Sequence, residues 1–313
     1  MAKKTRPAVD RLVYVLVRTF VAVVQAVPQA WAFGVAGLLA AGLHRFDKRH
    51  RAVARDNLRH AFPERTPAQI DELVRGCYRH FARLVVEMAL LPRKLNVANW
   101  RTFATPVNAP ALLGGLLDRR PLLIVTGHFG NWELAGYALG ALGFRTYAIA
   151  RVLDNPHLER FLSRFRQGTG QTILAKKSDF ARLTAAVATG GKVAVLADQD
   201  AGPRGVFVPF FGRPASAHKA VALMALEFDA RIVVVGVPRV GDPMRYEVVC
   251  EDAFDAADYA DRPDAVKAIT ERYHAALERL IRRHPEQYFW LHRRWKTRPA
   301  ERKRPADRRP PEA

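Results

Sequence analysis

Apolar positions recur along this chain with two periods, and the change between them divides it. Over 47–95 they fall three and four residues apart. Ile70, Leu73, Val74, Cys77, Tyr78, Phe81, Leu84, Val85 and Met88 form one stripe at helical spacing, the pattern of a core-facing helix. Thr66-Pro67-Ala68-Gln69 gives its start, with Thr as N-cap and Pro in the first turn. Pro63 stops the amphipathic segment before it, which carries Arg51, Arg55, Asn57 and Arg59 among Val53, Leu58 and Phe62. From Pro121 onward short apolar runs alternate with amphipathic ones. Strands are predicted at 122–125, 145–150, 171–174, 192–197, 232–238 and 246–250; helices near Asn131 and at 156–167, 179–188, 218–228 and 266–283. This alternation predicts an α/β fold with a mainly parallel central sheet flanked by helices. Val206–Phe211 holds Pro209 and is expected at an edge or in an irregular strand. Internal repeats are not evident.

The N-terminal stretch follows another rule. Leu12–Leu43 contains one charged residue, Arg18, and is interrupted by Gln25, Pro28 and Gln29. It is too long for a signal peptide, and Pro28 splits what a spanning helix of about 20 apolar residues would need. Lys3, Lys4, Arg6 and Arg11 precede it; Arg45, Lys48, Arg49, Arg51 and Arg55 follow. Basic residues on both sides give no orientation signal and fit broken helices lying in an anionic leaflet; a soluble helical hairpin is the alternative. The expected division is a membrane-associating helical segment at 1–46, an α/β domain at 47–295 and a disordered basic tail at 296–313.

Composition narrows the partners. Fifty Lys and Arg oppose thirty Asp and Glu, a formal charge of +20 on 313 residues. That balance favours acidic partners: nucleic acid, anionic lipid, phosphorylated substrates or an acidic protein. Cys77 and Cys250 lack the spacing of a zinc site or a disulfide framework.

Candidate chemistry concentrates in Pro121–Leu134, PLLIVTGHFGNWEL. A buried strand leads into a Gly-flanked turn that carries His128, and the following helix carries Glu133. Open α/β sheets bind ligands at such carboxyl ends of strands. The two side chains can meet only with His128 in the turn and Glu133 on the first helical turn. His128 would then be a general base and Glu133 the carboxylate that orients it. A turn histidine and a Glu favoured by the helix dipole fit the same residues. Asp198-Gln199-Asp200-Ala201-Gly202-Pro203-Arg204 is a second polar cluster at a strand end. Two other classes are compatible. One is a metal-dependent phosphoesterase with His128, Glu133, Asp198, Asp200 and His218 as ligands. The other is a non-catalytic basic protein that binds lipid or nucleic acid, although no nucleic-acid-binding motif is present.

VTGHFGNWEL, ARVLDNP at 150–156, ADQDAGPRGVFVPFFGRPAS at 197–216 and PEQYFWLHRRWKTRP at 285–299, with RAVARDNLRHAFPE near the N-terminus, together resemble the late acyltransferases of lipid A biosynthesis. These lauroyl and myristoyl transferases are grouped with the bacterial phosphatidylinositol mannoside acyltransferase. The resemblance implies a glycerolipid-acyltransferase-like fold at the cytoplasmic face of the inner membrane. It implies an acyl carrier protein or acyl-CoA donor, a glycolipid hydroxyl as acceptor, and no cofactor, metal or nucleic acid. A lipid A precursor is the expected acceptor; a phosphatidylinositol mannoside or an aminolipid would use the same machinery. Carried onto this chain, His128 is the base and Glu133 its orienter. Turn N–H groups or Arg151 would stabilise the oxyanion. Arg151, Asn155, Asp198, Gln199, Asp200 and Arg204 would bind substrate or brace its loop, with Arg213 in a similar role. Phe289, Trp290 and Trp295 are expected in the core, with an interface or acyl channel as the other possibility.

Overall fold

The computed structural model describes residues 7–175, 179–241 and 243–299. Its centre is a seven-stranded sheet of order β1-β9-β8-β2-β5-β3-β4. The strands are β1 (Ala104–Val107), β2 (Leu122–Thr126), β3 (Thr146–Ala150), β4 (Thr172–Ala175), β5 (Lys192–Leu196), β8 (Arg231–Gly236) and β9 (Tyr246–Asp255). The run from β8 to β4 is parallel; β9 lies antiparallel to β8 and pairs in parallel with β1. The mainly parallel sheet is therefore present, with a reversed edge. Helix α7 (Pro156–Gln167) has the expected bounds. Strand β1 and helix α5 (Pro110–Leu117) had no predicted counterpart; β1 is a four-residue edge strand containing Pro106, too short for periodicity to register.

Successive residues of the central strands face opposite sides. Leu123 and Val125 of β2, with Ile232 and Val234 of β8, join a core that includes α9 (Ala220–Glu227) and α10 (Ala265–Arg283). Leu122 and Ile124, with Val233 and Val235, join a second core beneath α5 and α6 (Trp132–Ala141). Burial on both faces explains why these strands read as continuous apolar runs. β6 (Val206–Phe210) and β7 (Arg213–Ala217) form a separate antiparallel hairpin. Its two-residue loop, Phe211 and Gly212, has positive φ at both positions (51° and 72°), which matches the twist of paired strands. Pro209 thus lies in a two-stranded ribbon, where a missing N–H is tolerated.

Helix α4 (Pro67–Lys94) begins with the expected cap: Thr66 Oγ1 accepts from Gln69 N–H, and Gln69 Oε1 accepts from Thr66 N–H. It contributes Ile70–Tyr78 to the first core and Val86–Leu91 to the second. Ahead of it lie α1 (Pro7–Ala26), α2 (Gln29–Phe46) and α3 (Lys48–Ala61). Pro28 separates α1 from α2 as its position required. Val24, Phe33, Ala36 and Ala40 pack inward, whereas Leu12, Leu16, Trp31, Leu38, Leu39 and Phe46 are exposed. Among the described residues no helix is long and apolar enough to cross a membrane. Most of the expected disordered tail, 300–313, lies outside the described residues; Thr297, two residues past the expected domain limit, is held by Asp200.

Candidate active site

Strands β2 and β5 are neighbours in register, Thr126 beside Leu196. The ladder continues one step further, where Ala197 N–H donates to Thr126 O. The next residue on one side is Gly127, leading to His128; on the other it is Asp198. A Cβ at Gly127 would lie 3.2 Å from the Asp198 carboxyl carbon, so only a glycine leaves the carboxylate this close to the turn without displacement. His128 Nδ1 lies 2.9 Å from Asp198 Oδ1, and His128 N–H donates to Asp198 Oδ2 at 2.8 Å. The carboxylate grips ring and backbone together.

The electrostatics favour a charged pair. Asp198 is 2% exposed. Burial alone would raise its carboxyl pKa, but the His128 charge and hydrogen bonds outweigh it and bring the pKa to about 2. Burial would lower His128, whereas the Asp198 charge and hydrogen bond, with a further contribution from Glu133, raise it above its ordinary value. Ionised Asp198 can only accept, so neutral His128 carries its proton on Nδ1 and directs Nε2 outward. Trp132 and Phe289 stand beside the ring, with centroids 5.2 and 6.1 Å away, and Phe81 stacks edge-on to Phe289 at 4.9 Å.

The turn itself is clamped from behind. Gly130 has φ +60°, and a Cβ there would meet Val237 O at 2.0 Å. Its N–H donates to Gln287 O, and Asn131 N–H donates to Val237 O at 2.7 Å. Asn131 caps α6 by accepting from Leu134 N–H, while its amide donates to Glu87 Oε2 and the Tyr246 hydroxyl. Glu87 forms a buried two-point pair with Arg239, at 2.5 and 2.9 Å. Arg239 also donates to His80 Nδ1, whose other nitrogen donates to Gly130 O at 3.2 Å. A second buried cation, Arg294, donates to Ser216 O at 2.7 Å and to His274 Nε2 at 3.2 Å.

Glu133 occupies the first turn of α6, as its spacing demanded. The hydrogen bonds of its carboxylate, however, run to Arg166 of α7 at both oxygens and to Trp132 Nε1. The expectation that Glu133 orients the imidazole is thus corrected at the level of contact: Asp198, from a neighbouring strand, holds Nδ1, and Glu133 acts on His128 through its charge. His128, Gly130 and Asn131 N–H groups are committed to protein acceptors, so these turn amides are not free to serve an oxyanion. Arg151, whose side chain is 81% exposed, pairs with Asp154. Asn155 is a cap, accepting from His157 and Leu158 N–H; its amide donates to Asp10 O of α1. Asp200 accepts from Gly202 N–H and the Thr297 hydroxyl, bracing its loop. Gln199 and Arg204 are exposed, and Arg213 lies over the Trp295 ring at 5.8 Å. Trp290 and Trp295 are core residues, whereas half-buried Phe289 faces the site. Among the described residues no three His, Cys, Asp or Glu side chains gather as metal ligands.

The sequence pattern did not single out Glu87, His80, Arg166, Arg239 or Arg294. His80 and Glu87 lie seven residues apart on the apolar stripe of α4, and a charged residue on a buried stripe is itself a sign of a paired interior group.

A cavity of about 740 Å³ opens between α1, α4 and α7. Val17, Val21, Val85, Met88, Phe161 and Phe165 line it, with Arg18, Arg160 and Arg164 among its polar residues. Phe81, which contacts Trp132 and Phe289, stands one turn before Val85 on α4.

Comparison with known proteins gives a consistent result. The family described as bacterial lipid A biosynthesis acyltransferase matches residues 2–297. The palmitoleoyltransferase of lipid A biosynthesis from Escherichia coli K12 is 27% identical over 259 residues, 81% of each chain. The lauroyltransferase from the same strain is 27% identical over 266 residues, 82% of each. A lipid A biosynthesis acyltransferase from Haemophilus influenzae is 24% identical over 262 residues, 81% of this chain and 80% of its own.

Proposed function

Because the chain belongs to the bacterial lipid A biosynthesis acyltransferase family, we propose that it moves a fatty acyl group from a thioester, on acyl carrier protein or coenzyme A, to a hydroxyl of a lipid A precursor. The observation that carries this reading is the His128–Asp198 pair at the adjoining carboxyl ends of β2 and β5. His128 Nε2 accepts the proton of the acceptor hydroxyl as its oxygen attacks the thioester carbonyl. Asp198 fixes the tautomer and stabilises the imidazolium. Collapse of the tetrahedral intermediate breaks the C–S bond, and the imidazolium returns the proton to the departing thiolate. The products are an ester and a free thiol. Glu133, held by Arg166, supplies a second negative charge that favours the imidazolium.

The apolar cavity between α1, α4 and α7 supports an acyl substrate, since its volume falls in the range of about 300–1,000 Å³ usual for ligand sites. The exposed apolar residues of α1 and α2 support a seat on the bilayer, which would bring the cavity to the lipid. The basic composition suits an anionic cytoplasmic leaflet and an acidic carrier protein.

The test is transfer of labelled acyl chain from acyl carrier protein to extracted glycolipid, with product identified by mass spectrometry. Wild type, His128→Ala and Asp198→Asn are compared at matched membrane content. Loss of transfer in His128→Ala supports the reading; full activity in that variant overturns it.

A further inference from the structure

A second cavity, of about 360 Å³, lies behind the His128 turn, between α4, the loop at 239–241 and residues 286–287. Arg79 and Arg83 line it from successive turns of α4, and Arg239 lines it from the loop at 239–241. Arg79 and Arg83 are exposed and have no hydrogen-bond or ion-pair partner among the described residues. Two like charges four residues apart on a helix repel, while the charge of Arg239 is already balanced by Glu87. Among the described residues Glu286 is the only carboxylate lining the cavity, and one of its oxygens already accepts from Gln287 Nε2 at 3.2 Å. His80 forms part of the wall as a neutral ring: burial, Arg239 and Arg83 together push it down to about 3. Three arginines, two of them unpaired among the described residues, thus line a small concave space with one engaged carboxylate.

We propose that this cavity is a binding site for a phosphoryl group, with Arg79 and Arg83 as the adjustable ligands and Arg239 as the fixed one. Guanidinium groups match tetrahedral oxyanions through paired N–H donors. Arg239 is held by both Glu87 oxygens, by His80 and by Tyr246, which fixes its position and leaves at most one N–H as a preset donor. The position also has a consequence for the catalytic turn. His80 joins Arg239 to Gly130 O, and Gln287 bonds both the backbone of Arg239 and Gly130 N–H. A phosphoryl group bound here would press on the frame that holds His128 without touching the reacting atoms. Two molecules could present it: a phosphorylated sugar headgroup or an anionic phospholipid.

The experiment is calorimetric titration of the full chain in neutral detergent with glucose 1-phosphate, and with glucose as control. Wild type is compared with Arg79→Gln/Arg83→Gln and Arg79→Lys/Arg83→Lys. Both positions are exposed, so the fold is expected to survive. The expected result is binding of the phosphate ester alone, weakened at least about tenfold in the Gln variant and partly restored in the Lys variant. Equal affinity in wild type and the Gln variant overturns the proposal, as does equal binding of glucose. Flotation with vesicles of phosphatidylcholine, with and without phosphatidylglycerol, separates the two sources. Unchanged flotation of the Gln variant, alongside lost sugar-phosphate binding, assigns the cavity to a phosphorylated sugar. Parallel loss of phosphatidylglycerol-dependent flotation assigns it to phospholipid headgroups. No arm requires acyl transfer, so the outcome is independent of the catalytic reading.

Discussion

His128 and Asp198 meet at two points, ring nitrogen to one carboxylate oxygen at 2.9 Å and backbone N–H to the other at 2.8 Å. Replacing Asp198 by Asn keeps the shape and removes the charge, but its amide can present a donor where the imidazole needs an acceptor. Asp198→Asn is expected to lower kcat by about a hundred- to ten-thousandfold with a smaller change in KM. Steady-state transfer kinetics check this; unchanged kcat would remove Asp198 from the mechanism.

The same pair sets a pH dependence. In the proposed mechanism the base is neutral His128, whose pKa is raised, so activity should climb with pH through a midpoint above the ordinary histidine value. Without the Asp198 charge the midpoint should move to lower pH in whatever activity Asp198→Asn retains. For stability the signs differ. Asp198 is depressed to about 2, so its contribution is present above the ordinary carboxylate pKa and is lost as pH falls toward 2. His128 is raised, so its contribution is complete below the ordinary histidine pKa and fades as pH rises through the folded value. Thermal melts of wild type and Asp198→Asn should therefore differ most between those limits and converge in acid.

Glu133 and Arg166 form a mostly buried pair, 8% and 22% exposed at their side chains. Arg166→Met leaves an uncompensated carboxylate and should destabilise by about 3 kcal/mol or more; adding Glu133→Gln should recover part of that loss. Denaturant titrations of the two single variants and the double variant measure the coupling. Additive effects would show that the contact contributes little.

The Glu87–Arg239 pair lies beneath the His128 turn, at 2.5 and 2.9 Å. Arg239→Met should destabilise by about 3–5 kcal/mol by leaving Glu87 buried and unpaired. At temperatures where the variant remains folded, kcat should also fall, because Asn131 and Gly130 lose their support. Circular dichroism melts paired with transfer assays would show both.

Gly130→Ala tests the turn directly. Its φ is positive, and the methyl group of an alanine would stand 2.0 Å from the Val237 carbonyl oxygen, which leaves no room for a side chain. A stability loss beyond about 1 kcal/mol is expected, together with impaired transfer. A fully stable, active variant would show that the turn can relax.

How far the sequence reveals this site follows from the range of each interaction. The strand–turn–helix around His128, the helix Pro156–Gln167 and the Thr66 capping box are local, and local chemistry announces them. The meeting of His128 with Asp198 spans seventy residues and depends on β5 returning to lie between β2 and β3. Both residues were recognisable at strand ends, but strand order is a property of the assembled sheet. H-x4-E drew Glu133 toward His128 by proximity in the chain, whereas the sheet supplied a closer carboxylate and α7 supplied Glu133 with an arginine. The buried charges beneath the turn were obscured because a helical stripe shows which face is covered, not what covers it.

Asn155 caps the helix that carries Arg166, and its amide also holds the carbonyl of Asp10 in α1. Tyr14 and Arg18 of α1 rest on Phe161 of the same helix, at 6.5 and 5.2 Å. The leading helix is therefore no detachable anchor. Trimming it to obtain a more tractable protein would open one wall of the apolar cavity and loosen the helix that steadies Glu133, so solubility and competence cannot be engineered separately at this end of the chain.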